Sequence, residues 1–292
     1  MSLLSRFTRS RPLNALRGIY HKLQYRIDAP PGLTISGQTA WKVQRLVEKL
    51  RPIATEHQLI RIGPGADGGY LVPDDLAGIT ACYSPGVSDT IGFDLDCAQR
   101  GMEVFLADAS VDGLPVQHHR FAFTGKYLAC WEDETHTTLD AWVRSTQPDG
   151  STDDLMLQMD IEGSEYQVLA SVSDAVLAMF RIIVIEFHWL DHLWNQGFLN
   201  LVAPIFNRLL RSHYCVHLHP NNCCGSLVRG GLEIPRVMEF TFLRKDRVTA
   251  PQAAPSLYPH PLDADNTARP PLALPECWWN PVPQPPSANS SS

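Results

Sequence analysis

From Pro73 onward, the sequence alternates between short apolar runs typical of strands and amphipathic segments typical of helices. This alternation is the pattern of repeated βα units, whose strands pair mostly in parallel within one sheet. The predicted strands cover 81–84, 103–107, 119–123, 155–160, 182–187, 214–219 and 237–243. Helices are predicted at 90–99, 165–171 and 198–211, and an earlier amphipathic helix at 39–53. We therefore expect an α/β fold with a doubly wound, Rossmann-like sheet.

Composition divides the chain into a basic N-terminal extension at 1–36, an α/β domain at 37–247 and a Pro-rich tail at 248–292. We favour a plain terminal extension for the first segment, with weak contact to an anionic membrane surface as the alternative. The tail is predicted to be mostly disordered, because Pro, Ala and Ser bury too little apolar surface to offset the entropy lost on ordering. Trp278 and Trp279 fit that prediction poorly, since adjacent tryptophans are suited to docking on the domain or on a partner.

Charge and cysteine content exclude several classes of protein. A net charge of −7 argues against binding to nucleic acid, which depends on Lys and Arg neutralising phosphates. The seven cysteines form no CxxC pair, so neither a zinc site nor a disulfide framework is indicated. No window approaches the roughly 18 consecutive apolar residues of a membrane span. We expect a cytoplasmic protein.

The turn after the first predicted strand indicates a nucleotide cofactor. Gly86 lets the backbone approach a ligand closely, and Asp89 follows it at the start of a helix. Asp108 ends the next strand, where a carboxylate can bind ribose hydroxyls. Since a dinucleotide turn normally carries three glycines and this one has only Gly86 and Gly92, S-adenosylmethionine is favoured over NAD. An ordinary βα turn beside a surface aspartate remains the alternative.

The segment 154–165, with the sequence DLMLQMDIEGSE, places several acids and a glycine directly after a buried strand. Buried acids are costly unless they face a ligand, a metal or a substrate. The stretch resembles the FkbM family of methyltransferases, whose hallmark is matched here at Asp160, Glu162, Gly163 and Glu165. Shorter similarities to the family occur in the same order at 67–70, 138–140 and 184–186, so the resemblance spans roughly 60–246.

The resemblance implies a class I methyltransferase sheet, mostly parallel with an antiparallel last strand. It also implies methyl transfer from S-adenosylmethionine, commonly to hydroxyls of sugars or polyketide-like metabolites. The first turn departs from the family pattern of an acid and two glycines, because Ser84, Pro85 and Gly86 stand there instead. Two alternatives are an NAD-dependent sugar-modifying oxidoreductase and a catalytically inactive Rossmann-like binding module.

Polar residues at three strand ends are the candidate catalytic groups. Asp160 is expected to face the sulfonium of the cofactor, and Tyr70 to cover the cofactor or line the acceptor pocket. His188 is predicted to be the general base near Glu186, with His219 as the second candidate, because strand ends of a doubly wound sheet face one crevice. Either histidine can instead be a packed residue with its nitrogens satisfied by backbone.

The alternative is that polar residues at the same strand ends bind a metal ion. Asp160, Glu186 and His219 offer two carboxylates and an imidazole, and hard oxygen ligands suit magnesium or manganese. The sequence thus predicts a candidate divalent-cation site at these three residues, in place of a general base acting alone.

Overall fold

The computed structural model describes residues 37–87, 90–148, 150–253 and 258–280. Its strands are β1 (Ile53–Ala54), β2 (Leu59–Ile62), β3 (Tyr70–Pro73), β4 (Ile79–Pro85), β5 (Glu103–Ala107), β6 (Phe121–Thr124), β7 (Tyr127–Leu128), β8 (His136–Thr137), β9 (Asp154–Met159), β10 (Phe180–Phe187), β11 (His213–Pro220), β12 (Ser226–Arg229), β13 (Leu232–Pro235), β14 (Met238–Arg244) and β15 (Gln252–Ala253). The helices are α1 (Gly37–Lys49), α2 (Gly92–Gln99), α3 (Leu139–Thr146), α4 (Glu165–Ser171), α5 (Asp174–Met179) and α6 (Gln196–Ser212).

The central sheet has seven strands in the order β11, β14, β10, β9, β4, β5 and β6. The neighbouring pairs from β10 to β6 are parallel, whereas β14 runs antiparallel to both β10 and β11. This order confirms the predicted doubly wound, Rossmann-like sheet, mostly parallel with an antiparallel last strand. Each of the seven sheet strands predicted from the sequence has a counterpart within a few residues.

The middle of the sheet is buried because its strands are continuous apolar runs. All eight positions of β10 are buried, and five of the six positions of β9 are buried. A strand without alternation between buried and exposed positions is covered on both faces, which is the usual state of a central parallel strand. The middle strands therefore form the rigid base on which the polar residues at the strand ends are held.

Local capping fixes where the surrounding helices begin. The Thr138 hydroxyl accepts a hydrogen bond from the Ala141 amide at 3.2 Å at the start of α3. The Asn195 side chain accepts from the amides of Gly197 and Phe198 at the start of α6. Such caps satisfy amides that have no partner within the helix. Thr138 is thus the N-cap of α3.

The chain reverses its direction of winding between β4 and β9. From β4 it proceeds outward to β5 and β6, and it then returns to build β9 and β10 on the other side. Ligands of open α/β sheets bind at the carboxyl ends of the strands at such a switch point. Gly86 follows β4 and Asp160 follows β9, so both lie at this position.

The C-terminal segment 258–280 packs on the domain, which differs from the predicted disorder. Trp278 is fully buried, its ring lies 6.1 Å from that of Phe240, and its indole N–H donates to the Glu233 carbonyl at 3.1 Å. The Asn222 amide donates to the carbonyls of Thr267 and Arg269. The prediction from composition missed these contacts, because one buried tryptophan contributes more to stability than many prolines that bury little surface. The predicted extension at 1–36 and the end of the tail at 281–292 lie outside the described residues.

No helix in the described part of the chain is both long and apolar enough to cross a membrane.

Candidate active site

The turn after β4 lies directly against the turn after β9. Gly86 has a φ of 94°, and a Cβ built on it would lie 1.7 Å from the carbonyl oxygen of Asp160. Its amide donates to the Ala107 carbonyl at 3.0 Å, which ties the same turn to the end of β5. Only glycine fits this position, because any side chain would overlap the neighbouring backbone. The predicted cofactor turn is thus in contact with two further strand ends.

Asp108 supports this turn through its carboxylate. The Val87 amide donates to Oδ2 at 3.1 Å, and the Ser110 amide donates to Oδ1 at 2.6 Å. The residue is 4% exposed, so the carboxylate holds the turn after β4 from the neighbouring strand end. The structure thereby brings Asp108 to the Gly86 turn, while its contact with ribose hydroxyls stays a prediction. Asp89 lies outside the described residues.

The acidic motif forms a strained turn between β9 and α4. Glu162 has a φ of 62° and Gly163 a φ of 102°. A Cβ on Gly163 would lie 2.3 Å from the indole ring of Trp189, so the absence of a side chain lets that ring pack against the turn. Trp189 itself has a φ of 59°. Backbone strain at two non-glycine residues, Glu162 and Trp189, is typical of functional sites, where surrounding contacts hold it in place.

Glu165, at the first position of α4, connects the motif turn to β10. Its Oε1 accepts hydrogen bonds from the amides of Ile161 at 3.2 Å and Gly163 at 3.0 Å. The same oxygen lies 3.2 Å from Nδ1 of His188. Because a carboxylate favours a proton on the nitrogen that it contacts, Glu165 fixes the orientation of the imidazole and directs Nε2 toward the other acids.

Three carboxylates surround Nε2 of His188. The nearest oxygens of Glu162, Glu186 and Asp160 lie 3.1, 3.6 and 3.9 Å from it. The imidazole is buried, while the Asp160 side chain keeps 32% of its surface exposed. The predicted residues Asp160, Glu186 and His188 therefore meet in one cluster at the carboxyl edge of the sheet.

The cluster shifts the pKa values of its members. Burial raises the pKa of Asp160 to about 7, and burial together with nearby Asp160 raises that of Glu186. Burial disfavours the charged form of His188, but its hydrogen bonds to Glu162 and Glu165 outweigh this effect and raise its pKa well above the usual value. The surrounding carboxylates thus favour the protonated imidazole in the ligand-free protein. The role of His188 as a general base stays a prediction.

His219 belongs to a second row of polar residues, one strand further along. It lies opposite Glu239 in the β11–β14 pair, and Glu239 lies opposite Glu186 in the β10–β14 pair. Its Nδ1 is 3.6 Å from Asp263, and burial raises the pKa of Glu239 to about 7. The Asn266 amide donates to Glu239 at 2.8 Å. His219 is therefore held by the C-terminal segment, apart from the His188 contacts.

Sequence reasoning missed Glu239, Asp263 and Asn266. Glu239 left a signal, because a lone acid within the apolar run of β14 requires a polar partner. Asp263 and Asn266 lie in a segment whose composition predicted disorder, so their local sequence gave no indication of a role.

Tyr70 is buried at the start of β3, beneath the crevice. Its hydroxyl accepts a hydrogen bond from the Gln158 amide at 3.2 Å, and the Gln158 carbonyl oxygen accepts one from the Ser84 hydroxyl at 2.7 Å. Burial, with nearby Asp160 and Glu186, raises its pKa well above the usual value, so the hydroxyl keeps its proton. Tyr70 thus lies next to the cluster, where it supports the strand ends.

The structure also changes the set of candidate metal ligands. Among the described residues, ligand atoms come within 4.8 Å of one another at Asp160, Glu165 and His188. The predicted set of Asp160, Glu186 and His219 is not brought together in this way, since His219 is turned toward Asp263. Asp160 is thus common to the two sets, while Glu165 and His188 take the places of Glu186 and His219.

The family described as the methyltransferase FkbM domain matches residues 132–211. This segment contains the acidic motif and His188, and the match confirms the resemblance to the FkbM methyltransferases. No curated protein matches the chain. Among solved structures, the crystal structure of TrmN from Thermus thermophilus is similar at 11% sequence identity, with a TM-score of 0.28. The similarity covers 56% of this chain and 44% of TrmN, so the chain spans less than half the length of that structure.

Proposed function

We propose that this chain, whose residues 132–211 match the methyltransferase FkbM domain, transfers a methyl group from S-adenosylmethionine to a hydroxyl of a sugar or another small molecule. The observation that carries the proposal is the contact between the Gly86 turn and Asp160, which joins a cofactor-type turn to an acidic cluster.

The residues at the switch point fit the cofactor. Gly86 keeps its turn free of side chains, and Asp108 holds the Val87 amide beside it. Asp160 has a buried oxygen, Oδ1, that accepts no hydrogen bond from the described residues. A carboxylate in this state favours a positively charged ligand, and S-adenosylmethionine carries a sulfonium and an ammonium group.

The same charge argues against a dinucleotide. Four acids, Asp160, Glu162, Glu165 and Glu186, lie within 3.9 Å of the His188 ring nitrogens. A pyrophosphate placed beside them would meet repulsion between like charges in a poorly solvated crevice. An NAD-dependent oxidoreductase is therefore disfavoured by the electrostatics of the site as well as by the few glycines of its turn.

The cluster also suits a hydroxyl acceptor. Bound S-adenosylmethionine supplies an already activated methyl group, so the protein mainly has to align the acceptor and remove its proton. The nearest oxygens of Glu186 and Asp160 lie 3.6 and 3.9 Å from Nε2 of His188, so the three side chains form one interacting unit. We assign removal of the hydroxyl proton to this unit, with Asp160 as the member open to the crevice.

Thermal unfolding with single ligands tests the cofactor. S-adenosylmethionine and S-adenosylhomocysteine should each stabilise the protein, by about 2.7 kcal/mol at one hundred times the dissociation constant. NAD should leave the unfolding temperature unchanged. Stabilisation by NAD alone would support an oxidoreductase, and no stabilisation by any of the three would support an inactive binding module.

A second experiment tests the acceptor. The protein is incubated with S-adenosylmethionine carrying a radioactive methyl group and with panels of sugars, phenols, amines and thiols. Label should be incorporated into a hydroxyl compound as an ether that resists mild base. Incorporation into amines or thiols alone would contradict the proposed O-methylation while leaving cofactor binding intact.

A further inference from the structure

A compact set of metal-ligating groups lies at the junction of the motif turn, α4 and the end of β10. Asp160, Glu165 and His188 each offer a ligand atom, and these atoms lie within 4.8 Å of one another. Such separations match the span of ligands around one divalent ion, whose bonds are about 2.0–2.3 Å long.

Unused oxygens on both carboxylates point to a missing ligand. Glu165 is fully buried, and its Oε1 accepts from two amides while Oε2 accepts no hydrogen bond from the described residues. Oδ1 of Asp160 is in the same state and lies 3.9 Å from Nε2 of His188. A buried carboxylate oxygen without a partner is costly, so a cation bound beside either oxygen would stabilise it.

The surroundings favour a doubly charged ion. Oxygens of Glu162 and Glu186 lie 3.1 and 3.6 Å from Nε2 of His188, which adds two further acids around a single imidazole. The four carboxylates repel one another when ionised, and a bound divalent cation would favour their ionised forms. Two carboxylates with one imidazole suit manganese, which accepts both oxygen and nitrogen ligands, and magnesium less well.

We propose that Asp160, Glu165 and His188 form a divalent-cation site that binds Mn²⁺ in preference to Mg²⁺. Within the proposed function, on which this role depends, a bound ion would contact the acceptor hydroxyl and lower its pKa, as bound metals do for water. The hydroxyl proton would pass to Glu186, which lies in the cluster but outside the three ligands. The acceptor oxygen would then bond to the methyl carbon while the carbon–sulfur bond breaks, its electron pair stays on sulfur, and S-adenosylhomocysteine leaves.

The site is tested on the full chain without cofactor or acceptor. Electron paramagnetic resonance of added Mn²⁺ counts the free ion, and titration gives the stoichiometry and affinity. Wild-type protein should bind one Mn²⁺ per chain. Asp160→Asn and Glu165→Gln, which keep side-chain size, should each weaken binding by at least about tenfold.

Glu239→Gln is the matched control, since Glu239 is also buried, acidic and at a neighbouring strand end, but lies outside the three ligands. It should bind Mn²⁺ like wild type. Circular dichroism identifies any variant that has failed to fold. If one ligand variant does not fold, the Mn²⁺ affinity of the other one tests the proposal. The proposal is overturned if wild type binds no Mn²⁺, if both ligand variants bind normally, or if Glu239→Gln loses as much affinity as they do.

The outcome is separable from that of the proposed function. Binding of S-adenosylmethionine in excess chelator reports on the cofactor site, whereas Mn²⁺ resonance requires neither cofactor nor acceptor. Cofactor binding without Mn²⁺ binding would overturn the metal site alone, and Mn²⁺ binding without cofactor binding would contradict the methyltransferase alone.

Discussion

Gly86 and Asp160 belong to different strand ends, yet a single methyl group on Gly86 would overlap the carbonyl oxygen of Asp160 at 1.7 Å. The backbone of the first βα turn therefore rests directly on the backbone of the acidic motif. This contact couples the position of the cofactor turn to the position of the acids, because neither turn can shift without displacing the other.

Gly86→Ala should abolish binding of S-adenosylmethionine and destabilise the fold. Gly101→Ala is its matched control, since Gly101 has a φ of 96°, close to the 94° of Gly86, and has nothing within 4 Å of its Cβ position. The control should lose only the roughly 1–3 kcal/mol of backbone strain. Urea unfolding and isothermal titration with the cofactor measure both effects. Equal losses in the two variants would show that the contact with Asp160 is unimportant.

Gly163→Ala should displace Trp189 and impair catalysis more than cofactor binding. A Cβ at Gly163 would come within 2.3–2.7 Å of three atoms of the indole ring, and Trp189 directly follows His188. The expected result is a loss of kcat for methyl transfer with a modest change in cofactor affinity. Tryptophan fluorescence, compared with that of Gly101→Ala, checks the ring displacement. An unchanged spectrum with normal kcat would contradict this coupling.

The sequence predicted the sheet well because the relevant information is local. The run Phe180–Phe187 is apolar enough to identify a central strand, and parallel strand ends share one edge whatever the details of the loops. The position of Asp160, Glu186 and His188 in one crevice follows from that rule. The sequence did not predict which acid at this edge contacts Nδ1 of His188. That acid is Glu165, and its position depends on a turn with positive φ values.

The prediction of disorder for the C-terminal segment failed for a different reason. Its prolines and alanines predict disorder, and local sequence does not show that Asp263 meets His217 at 2.8 Å or that Trp278 meets Phe240. These contacts are formed only after the sheet exists. A composition argument averages over the segment, whereas its order depends on a few anchoring side chains.

Trp278→Ala should therefore cost about 3–5 kcal/mol of unfolding free energy, as removal of a fully buried tryptophan does. Trp279→Ala is the control, because Trp279 is only partly buried, and it should cost less. Chemical unfolding of both variants measures the difference. If Trp278→Ala unfolds like wild type, the segment contributes nothing to stability, and the prediction of a disordered tail would be supported.

Protein stability should fall in mild acid because of His213. Its buried imidazole lies 2.8 Å from the Phe180 carbonyl through Nε2 and 2.8 Å from the Ser212 hydroxyl through Nδ1, an arrangement that suits the neutral ring. Burial, reinforced by nearby Arg244, lowers its pKa from 6.5 to about 4. In the unfolded chain the His213 imidazole binds a proton below pH 6.5, whereas in the folded protein it binds one only below about pH 4.

The stabilising contribution is thus complete above pH 6.5 and is lost as the pH falls toward 4. Because each pKa unit corresponds to about 1.4 kcal/mol, this loss amounts to about 3 kcal/mol. Urea unfolding across this range should show a shallower decline for His213→Gln, whose amide can still donate to Phe180, than for wild type. His119→Gln removes an exposed imidazole and should keep the wild-type slope. Parallel slopes for wild type and His213→Gln would mean that His213 binds its proton equally in both states.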